Sequence, residues 1–233
     1  MKEYCITARQ KVLVTLEATM AIVLLASNFM AAKLWNFFGI PVDGGLLLFP
    51  VSYVVGDILV ELYGRKTANF IACITAIPNA VAMLMLSIAV YLPPFPGWDG
   101  QSAYALIFSL SLRVTLGSLA GYLLSQITNN YAFLQIKGWQ SRKRRSFRSY
   151  KIRAIGSSLI GRLVDNVIFE TIAFLGILPF KDFLKQFLGA YFEGLIVEII
   201  IVLVVSEPII NKVREYITDD EQIRSESLDD IKF

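Results

Sequence analysis

The chain has 233 residues, of which 55% are hydrophobic and 18% charged, with a formal net charge of +3 at pH 7. Soluble domains of this size contain about 45–50% apolar residues, so this composition and the mean hydropathy of +0.58 favour an integral membrane protein. The absence of histidine disfavours zinc sites, Ser-His catalysis and histidine proton relays. Cys5 and Cys73 show no metal-ligand spacing, so no cofactor is expected.

The hydrophobic residues fall into runs that reach the ~20 residues a helix needs to cross a bilayer. No signal-peptide cleavage site follows the first run, which is therefore expected to remain a helix. The sequence predicts an all-α integral membrane protein, a six-transmembrane-helix bundle in which residues 1–233 form a single domain and residues 212–233 a polar cytoplasmic tail. The six predicted spans are residues 12–36, 46–63, 68–92, 103–134, 153–178 and 184–208.

Basic residues are distributed unevenly among the loops. Of the 22 Lys and Arg, 17 lie in the N-terminus, residues 64–67, residues 135–153 and the C-terminal tail. By the positive-inside rule these segments are cytoplasmic, and six spans then place both termini in the cytoplasm. The basic 135–153 loop is better explained as a topology signal that attracts anionic membrane lipid than as a nucleic-acid site, so no nucleic-acid partner is expected.

Polar side chains inside the predicted spans are the main indication of function. Span five contains Arg162, Asp165, Asn166 and Glu170, and each charge at the bilayer centre costs about 2.5–3.5 kcal/mol on insertion scales. These side chains must therefore face the protein interior or a water-filled cavity. Arg162 and Asp165 share a helix face and can neutralise each other. A buried ion pair that only fixes helix packing is the alternative to a binding site.

Span two carries two carboxylates on one helix face, because Asp57 and Glu61 are four positions apart. Their repulsion predicts a cation, a shared proton or a ligand donor nearby. Glu61 lies close to the cytoplasmic end, where pairing with Arg65 is the structural alternative. Lys33, at the outer end of span one, has the alternative of extending to the lipid headgroups. The candidate site residues on spans one and six are Asn28, Lys33 and Glu193.

Two blocks of sequence resemble the queuosine precursor transporter family, whose members were formerly grouped as vitamin uptake transporters. The first block contains Ser27-Asn28, Lys33, Phe49-Pro50 and Asp57-x3-Glu61-x-Tyr63-Gly64-Arg65. The second block is Arg162-Leu-Val-Asp165-Asn-Val-Ile-Phe169, followed by Ala173-Phe174-x-Gly176. Together they extend from span one through span five.

The resemblance implies a bacterial inner-membrane protein, similar in fold to the substrate-binding subunits of energy-coupling-factor transporters. Its substrates would be 7-deazaguanines: 7-cyano-7-deazaguanine, 7-aminomethyl-7-deazaguanine or queuine. A carboxylate can accept the two adjacent donors of a guanine edge, and an asparagine amide, a lysine or an arginine can donate to its exocyclic oxygen. Aromatic or aliphatic side chains can cover its faces. Asp165 is the leading carboxylate, followed by Asp57 or Glu61, with Asn28 as donor and Phe169 as wall.

One position departs from the family pattern. The family often carries a lysine after a tyrosine in span six, where this chain has Tyr191-Phe-Glu193-Gly194. The reversed charge favours a cationic substrate, such as an aminomethyl or queuine-like compound.

Three mechanistic classes compete for a membrane protein of this kind. A secondary carrier is favoured, and the alternative is a substrate-binding subunit that requires a separate ATP-driven module, because the chain contains no GxxxxGK[ST] motif. An intramembrane enzyme is disfavoured by the absence of histidine and of GxSxG. Proton symport through Asp57, Asp165 or Glu170 and facilitated uptake both remain open, and a homo-oligomer is compatible with the sequence.

Overall fold

The computed structural model describes residues 6–37, 40–108, 112–141, 150–177 and 179–229. Its helices are α1 (Ala8–Met30), α2 (Pro50–Tyr63), α3 (Arg65–Val90), α4 (Gln101–Phe108), α5 (Leu112–Ser141), α6 (Tyr150–Phe174), α7 (Phe180–Ile201) and α8 (Glu207–Asp229). An antiparallel hairpin of β1 (Leu34–Phe37) and β2 (Ile40–Asp43), followed by a 3-10 turn (Gly44–Leu47), joins α1 to α2. A π-helical turn (Val202–Ser206) joins α7 to α8.

The helical membrane architecture agrees with the prediction. Five segments of the described chain are long and apolar enough to cross a membrane: Ala8–Met30, Gly44–Tyr63, Arg65–Val90, Gln101–Ser141 and Phe180–Val204. Helix α6 has 25 residues, which is also sufficient length, but it is not among these five segments. Many large apolar side chains point outward from the bundle, including Ile22, Phe70, Leu84 and Ile200, as expected for contact with lipid.

Several observed helix ends differ from the predicted spans, and two of the differences are described here. Helix α1 ends at Met30, because the chain turns into the hairpin, where the Gly44 N–H donates to the Lys33 carbonyl (2.8 Å). The described part of the predicted polar tail, residues 212–229, is helical and belongs to α8. Between α2 and α3, Gly64 has a φ of +83°, a left-handed conformation that glycine adopts without steric cost.

Helix α2 is the central helix, since every residue from Ser52 to Val60 is buried. Helices α5 and α6 pack antiparallel along their lengths with glycines at the contact. A Cβ at Gly161 on α6 would lie 2.8 Å from the Asn129 Cβ, and one at Gly117 on α5 would lie 3.3 Å from the Phe169 carbonyl oxygen. These glycines let the two backbones approach closely, which brings the polar residues of α6 against α5.

The two ends of the bundle differ in charge. At one end, here called the basic end, the start of α1, the α2–α3 turn, the ends of α5 and α6 that flank residues 142–149, and α8 come together. Arg9 there donates to the Leu62 carbonyl (3.1 Å). At the opposite end, Arg113 donates to the carbonyls of Ile172 (2.8 Å) and Leu175 (3.0 Å), which lack helical partners at the end of α6.

Candidate functional site

A partly open cavity lies near the end of the bundle opposite the basic end. Five parts of the chain contribute to it: the end of α1, the turn that precedes α2, the second half of α3, the start of α5 and the second half of α6. The lining residues used below are Asn28, Asp43, Phe49, Asn79, Ser118, Asp165 and Phe169.

A chain of polar side chains crosses three helices at this cavity. The Ser118 hydroxyl donates to the Asn28 Oδ1 (3.0 Å), and the Asn28 Nδ2 donates to the Asn79 Oδ1 (3.0 Å). Asn28 is thereby held in one orientation. Among the described residues, the Asn79 Nδ2 has no acceptor, so this amide nitrogen can donate to a ligand oxygen.

Asp43 is the first of two carboxylates that line the cavity. Its Oδ1 accepts the Gly45 N–H (2.9 Å) and so caps the 3-10 turn. Burial raises the pKa of Asp43 to about 6, and the nearby backbone N–H groups and the Arg162 charge oppose that rise. Asp43 is therefore predominantly ionised at neutral pH.

Asp165 is the second carboxylate of the cavity. Within the described ranges, its side chain accepts no hydrogen bond and forms no salt bridge, so it is available to a ligand. Its Oδ1 lies only 2.7 Å from the point that a Cβ on Gly121 would occupy. The carboxylate therefore fits against α5 because position 121 has no side chain.

Two phenylalanines form an apolar part of the lining. Phe49 packs edge-on against Tyr53, with ring centroids 5.6 Å apart. Phe169 packs edge-on against Phe174 at 5.8 Å. These contacts position both rings, which can cover a flat heterocycle.

A buried ion pair lies outside the cavity lining. The Arg162 Nε donates to the Glu198 Oε2 (3.3 Å), and the two side chains are 2% and 1% exposed. The predicted Arg162–Asp165 neutralisation is therefore corrected in one respect, since Arg162 forms its ion pair with Glu198 and acts on Asp165 only through space. The reason is the approach of α7 at Gly194, where a side chain would collide with the Arg162 guanidinium.

Asp57 is fully buried and does not line the cavity. Its Oδ1 accepts the Asn129 Nδ2 (2.8 Å) and the Ser157 hydroxyl (3.4 Å). Its Oδ2 has no hydrogen-bond partner within the described part of the chain. Asp57 therefore connects α2 to α5 and α6 instead of facing the space available to a ligand.

Glu61 lies at the basic end, away from the cavity. It binds three cations: Lys137 of α5 (2.9 Å), Arg153 of α6 (3.1 Å) and Arg214 of α8. Pairing with Arg65 is not observed, since the Arg65 guanidinium lies 5.6 Å from the centroid of the Tyr131 ring. Glu61 thus closes the basic end by connecting four helices.

The remaining candidates also lie outside the cavity lining. Asn166 donates to the Phe187 carbonyl (2.9 Å), and Glu170 accepts the Gln186 amide (3.2 Å). Glu193 is fully buried, and its two oxygens lack hydrogen-bond partners among the described residues. Lys33 is exposed. Of the predicted site residues, the cavity brings together Asn28, Asp165 and Phe169.

Sequence reasoning did not select four of the lining residues. Asn79 follows Pro78 inside α3. A polar amide within this apolar run is a sequence signal that could have identified it. Asp43, immediately before Gly44-Gly45, lies between the first two predicted spans. Phe49 was part of the family block without a role, and Ser118 carried no signal distinguishable from helix packing.

Comparisons with known proteins identify a family and its relatives. The family model described as "Putative vitamin uptake transporter" matches residues 43–207. A Bacillus subtilis (strain 168) protein named "Probable queuosine precursor transporter" is 26% identical over 201 residues, which are 85% of this chain and 82% of that protein. The Escherichia coli (strain K12) protein named "Queuosine precursor transporter" is 25% identical over 174 residues, 75% of this chain and 74% of that protein.

No solved structure matches the chain at a significant level. The family match covers well over half of the 233 residues and includes Asp43, α2, α6 and α7. It confirms the family predicted from the two sequence blocks. The chain therefore belongs to the vitamin uptake transporter family, and it is a membrane transport protein related to queuosine precursor transporters.

Proposed function

We propose that this chain imports 7-deazaguanine precursors of queuosine into the bacterial cytoplasm, and that the cavity described above is the substrate site. The observation that carries the proposal is the combination in one cavity of carboxylates, an amide network and two aromatic rings. The names of the relatives indicate the substrate class. The family match covers residues 43–207, and this segment supplies most of the cavity lining.

The chemistry of the lining matches a guanine-type base. The Asp165 carboxylate can accept the N1–H and N2–H₂ donors as a bidentate pair. The Asn79 Nδ2 can donate to the exocyclic oxygen, with Asn28 and Ser118 fixing the orientation of the Asn79 side chain. Phe49 and Phe169 provide apolar walls for the ring. A site of this kind rejects analogues that leave its buried polar groups unpaired.

We propose six spans, formed by α1, α2 with its preceding turn, α3, α5, α6 and α7, as in the substrate-binding subunits of energy-coupling-factor transporters. Helix α6 qualifies as the sixth span because its outward-facing side chains Leu159, Ile160, Leu163 and Val167 are apolar. Its charged side chains Arg162 and Glu170 are buried inside the protein. A span with this pattern avoids the cost of placing charge in lipid.

The positive-inside rule then assigns the basic end and both termini to the cytoplasm. The cavity lies toward the opposite side, from which an imported substrate arrives. The cytoplasmic side is closed by the salt bridges of Glu61 to α5, α6 and α8. This arrangement corresponds to an outward-facing state of a carrier in the inner membrane.

The test is uptake of labelled 7-deazaguanines by a bacterium that cannot synthesise them and expresses either the wild type or Asp165→Asn. Loss of the carboxylate is expected to reduce uptake by about ten- to hundredfold, the effect of losing a hydrogen bond to a charged group. Asp99→Asn, in an exposed loop, is the matched control. Unchanged uptake by Asp165→Asn at equal expression would remove Asp165 from the site.

Energy coupling is tested with the purified chain alone in liposomes. A secondary carrier is expected to accumulate or equilibrate substrate without ATP. Uptake only after addition of a separate ATP-hydrolysing module would support the alternative of a substrate-binding subunit.

A further inference from the structure

The cavity lining has an unbalanced charge. Among the described residues, it contains two carboxylates, Asp43 and Asp165, and no Lys or Arg. The rest of the lining consists of neutral polar and apolar side chains. A neutral purine-like base needs one carboxylate for its donor edge, so the second carboxylate has no evident partner in such a ligand.

The described residues around the cavity do not supply the missing positive charge. Asp43 lies within electrostatic range of Asp165 and Glu170 on α6 and of Glu193 on α7. The cation acting on Asp43 is Arg162, and Arg162 already forms a buried salt bridge with Glu198. Lys33, at the base of the hairpin, is exposed and does not line the cavity. The net field at Asp43 therefore favours a cationic ligand group.

An organic ammonium fits this lining better than a metal ion. In the described part of the chain, no group of three or more His, Cys, Asp or Glu side chains is arranged to hold a metal. Ca²⁺ requires six to eight oxygen ligands. An alkylammonium needs only a few acceptors around its three N–H donors, and one carboxylate with a neighbouring hydroxyl or carbonyl supplies them.

We infer that Asp43 is a specificity-determining residue that binds the ammonium group of an amine-bearing 7-deazaguanine. This inference rests on the proposed function, in which Asp165 binds the guanine-type edge. The aminomethyl group of such a base projects from the ring edge opposite its N1–H and N2–H₂ donors. Two carboxylates, one at the end of β2 and one on α6, can therefore bind the two edges of one ligand. The sequence argument for a cationic substrate depended on Glu193, but this residue does not line the cavity.

The test compares binding of 7-aminomethyl-7-deazaguanine and 7-cyano-7-deazaguanine to the purified protein. The wild type is expected to bind the amine about tenfold or more tightly than the nitrile, the effect of one charge-assisted hydrogen bond. Asp43→Asn and Asp43→Ser are expected to remove most of this preference. Both replacements are good helix N-caps, so the turn at Gly44–Leu47 should be preserved, and thermal unfolding of the variants verifies it. Asp99→Asn is the control and should keep the wild-type ratio.

The outcomes separate this inference from the proposed function. Equal binding of the two compounds by the wild type, or a preference for the nitrile, would overturn the inference and leave the proposed function standing. A preference that persists in both folded Asp43 variants would overturn the role of Asp43. Binding of neither compound by the wild type would overturn the proposed function itself.

Discussion

The position of the Asp165 carboxylate depends on a glycine of the neighbouring helix. A Cβ at Gly121 would lie 2.7 Å from the Asp165 Oδ1, a distance at which the carboxylate has to move. We predict that Gly121→Ala lowers substrate affinity by about tenfold or more, because a shift of this group misaligns a charge-assisted hydrogen bond. Equilibrium binding of a 7-deazaguanine to the purified variant measures the effect.

Gly138→Ala is the matched control for this change. Gly138 lies on the same helix, and a Cβ there meets no atom within 4 Å. Alanine is a better helix former than glycine by about 1 kcal/mol, so this variant should be equal to the wild type or slightly more stable, with unchanged affinity. An equal loss of affinity in both variants would show that the helix, and not the Asp165 carboxylate, is responsible.

The preference for an amine-bearing substrate should depend on pH through Asp43. Burial raises the pKa of Asp43 to about 6, so its carboxylate is charged above that pH and neutral below it. The groups that face it are Arg162, Asp165, Glu170 and Glu193, from α6 and α7. The amine-to-nitrile affinity ratio is expected to fall as the pH is lowered from about 7.5 to about 5. A ratio that is constant over this range, measured by competition binding, would contradict the assignment.

At the scale of the elements, two ion pairs connect α6 to the α7–α8 segment, and they differ in burial. Arg162 and Glu198 are almost fully buried, whereas Lys151 and Glu207 are 32% and 42% exposed. Removing one partner of a buried pair leaves an uncompensated charge and costs about 3–5 kcal/mol. An exposed pair contributes about 0–1 kcal/mol.

We therefore predict that Glu198→Gln lowers the free energy of unfolding strongly and Glu207→Gln hardly at all. Thermal unfolding of the two purified variants in the same detergent gives the comparison. Similar melting temperatures for both variants would mean that water or lipid headgroups reach Arg162 in the native protein.

The composition of α8 does not indicate that this helix is attached to the rest of the bundle. Its low apolar content suggests a polar extension, but Asp220 accepts the Ala8 N–H (3.0 Å) and Arg214 binds Glu61. These contacts connect α8 to α1 and α2, which are distant in sequence. The helix is therefore stabilised by polar contacts at the basic end, which hydropathy does not detect.

At the scale of the whole molecule, the sidedness of the bundle has a direct test. After replacement of Cys5 and Cys73 by serine, a single cysteine is introduced either by Asp99→Cys, in the loop before α4, or by Thr218→Cys, in α8. A membrane-impermeant maleimide applied to intact cells is expected to label the first variant and not the second, because the basic end is cytoplasmic. Permeabilised cells should be labelled in both. Labelling of the second variant and not the first would show that the orientation is reversed and that the cavity lies toward the cytoplasm.

The family and the helical membrane architecture could be predicted from the sequence, because both depend on local features. Apolar runs of about 20 residues identify spans wherever they pack. The blocks around Asp57 and Asp165 identify the family by residue order alone. The sequence also predicted that the charged side chains of α6 face the protein interior. The free-energy cost of exposing them to lipid is high whichever helix packs against α6.

Only the tertiary structure decided which of the inward-facing polar residues meet. Periodicity shows which face of a helix is polar, but not which helix covers it, and the pairs that form the site are distant in sequence. Asn28 contacts Asn79 across 51 positions and Ser118 across 90. The close approach of α7 at Gly194 directs Arg162 to Glu198. Asp165 therefore forms no salt bridge with any residue that the structure describes, because the packing of α7 pairs Arg162 with Glu198 instead.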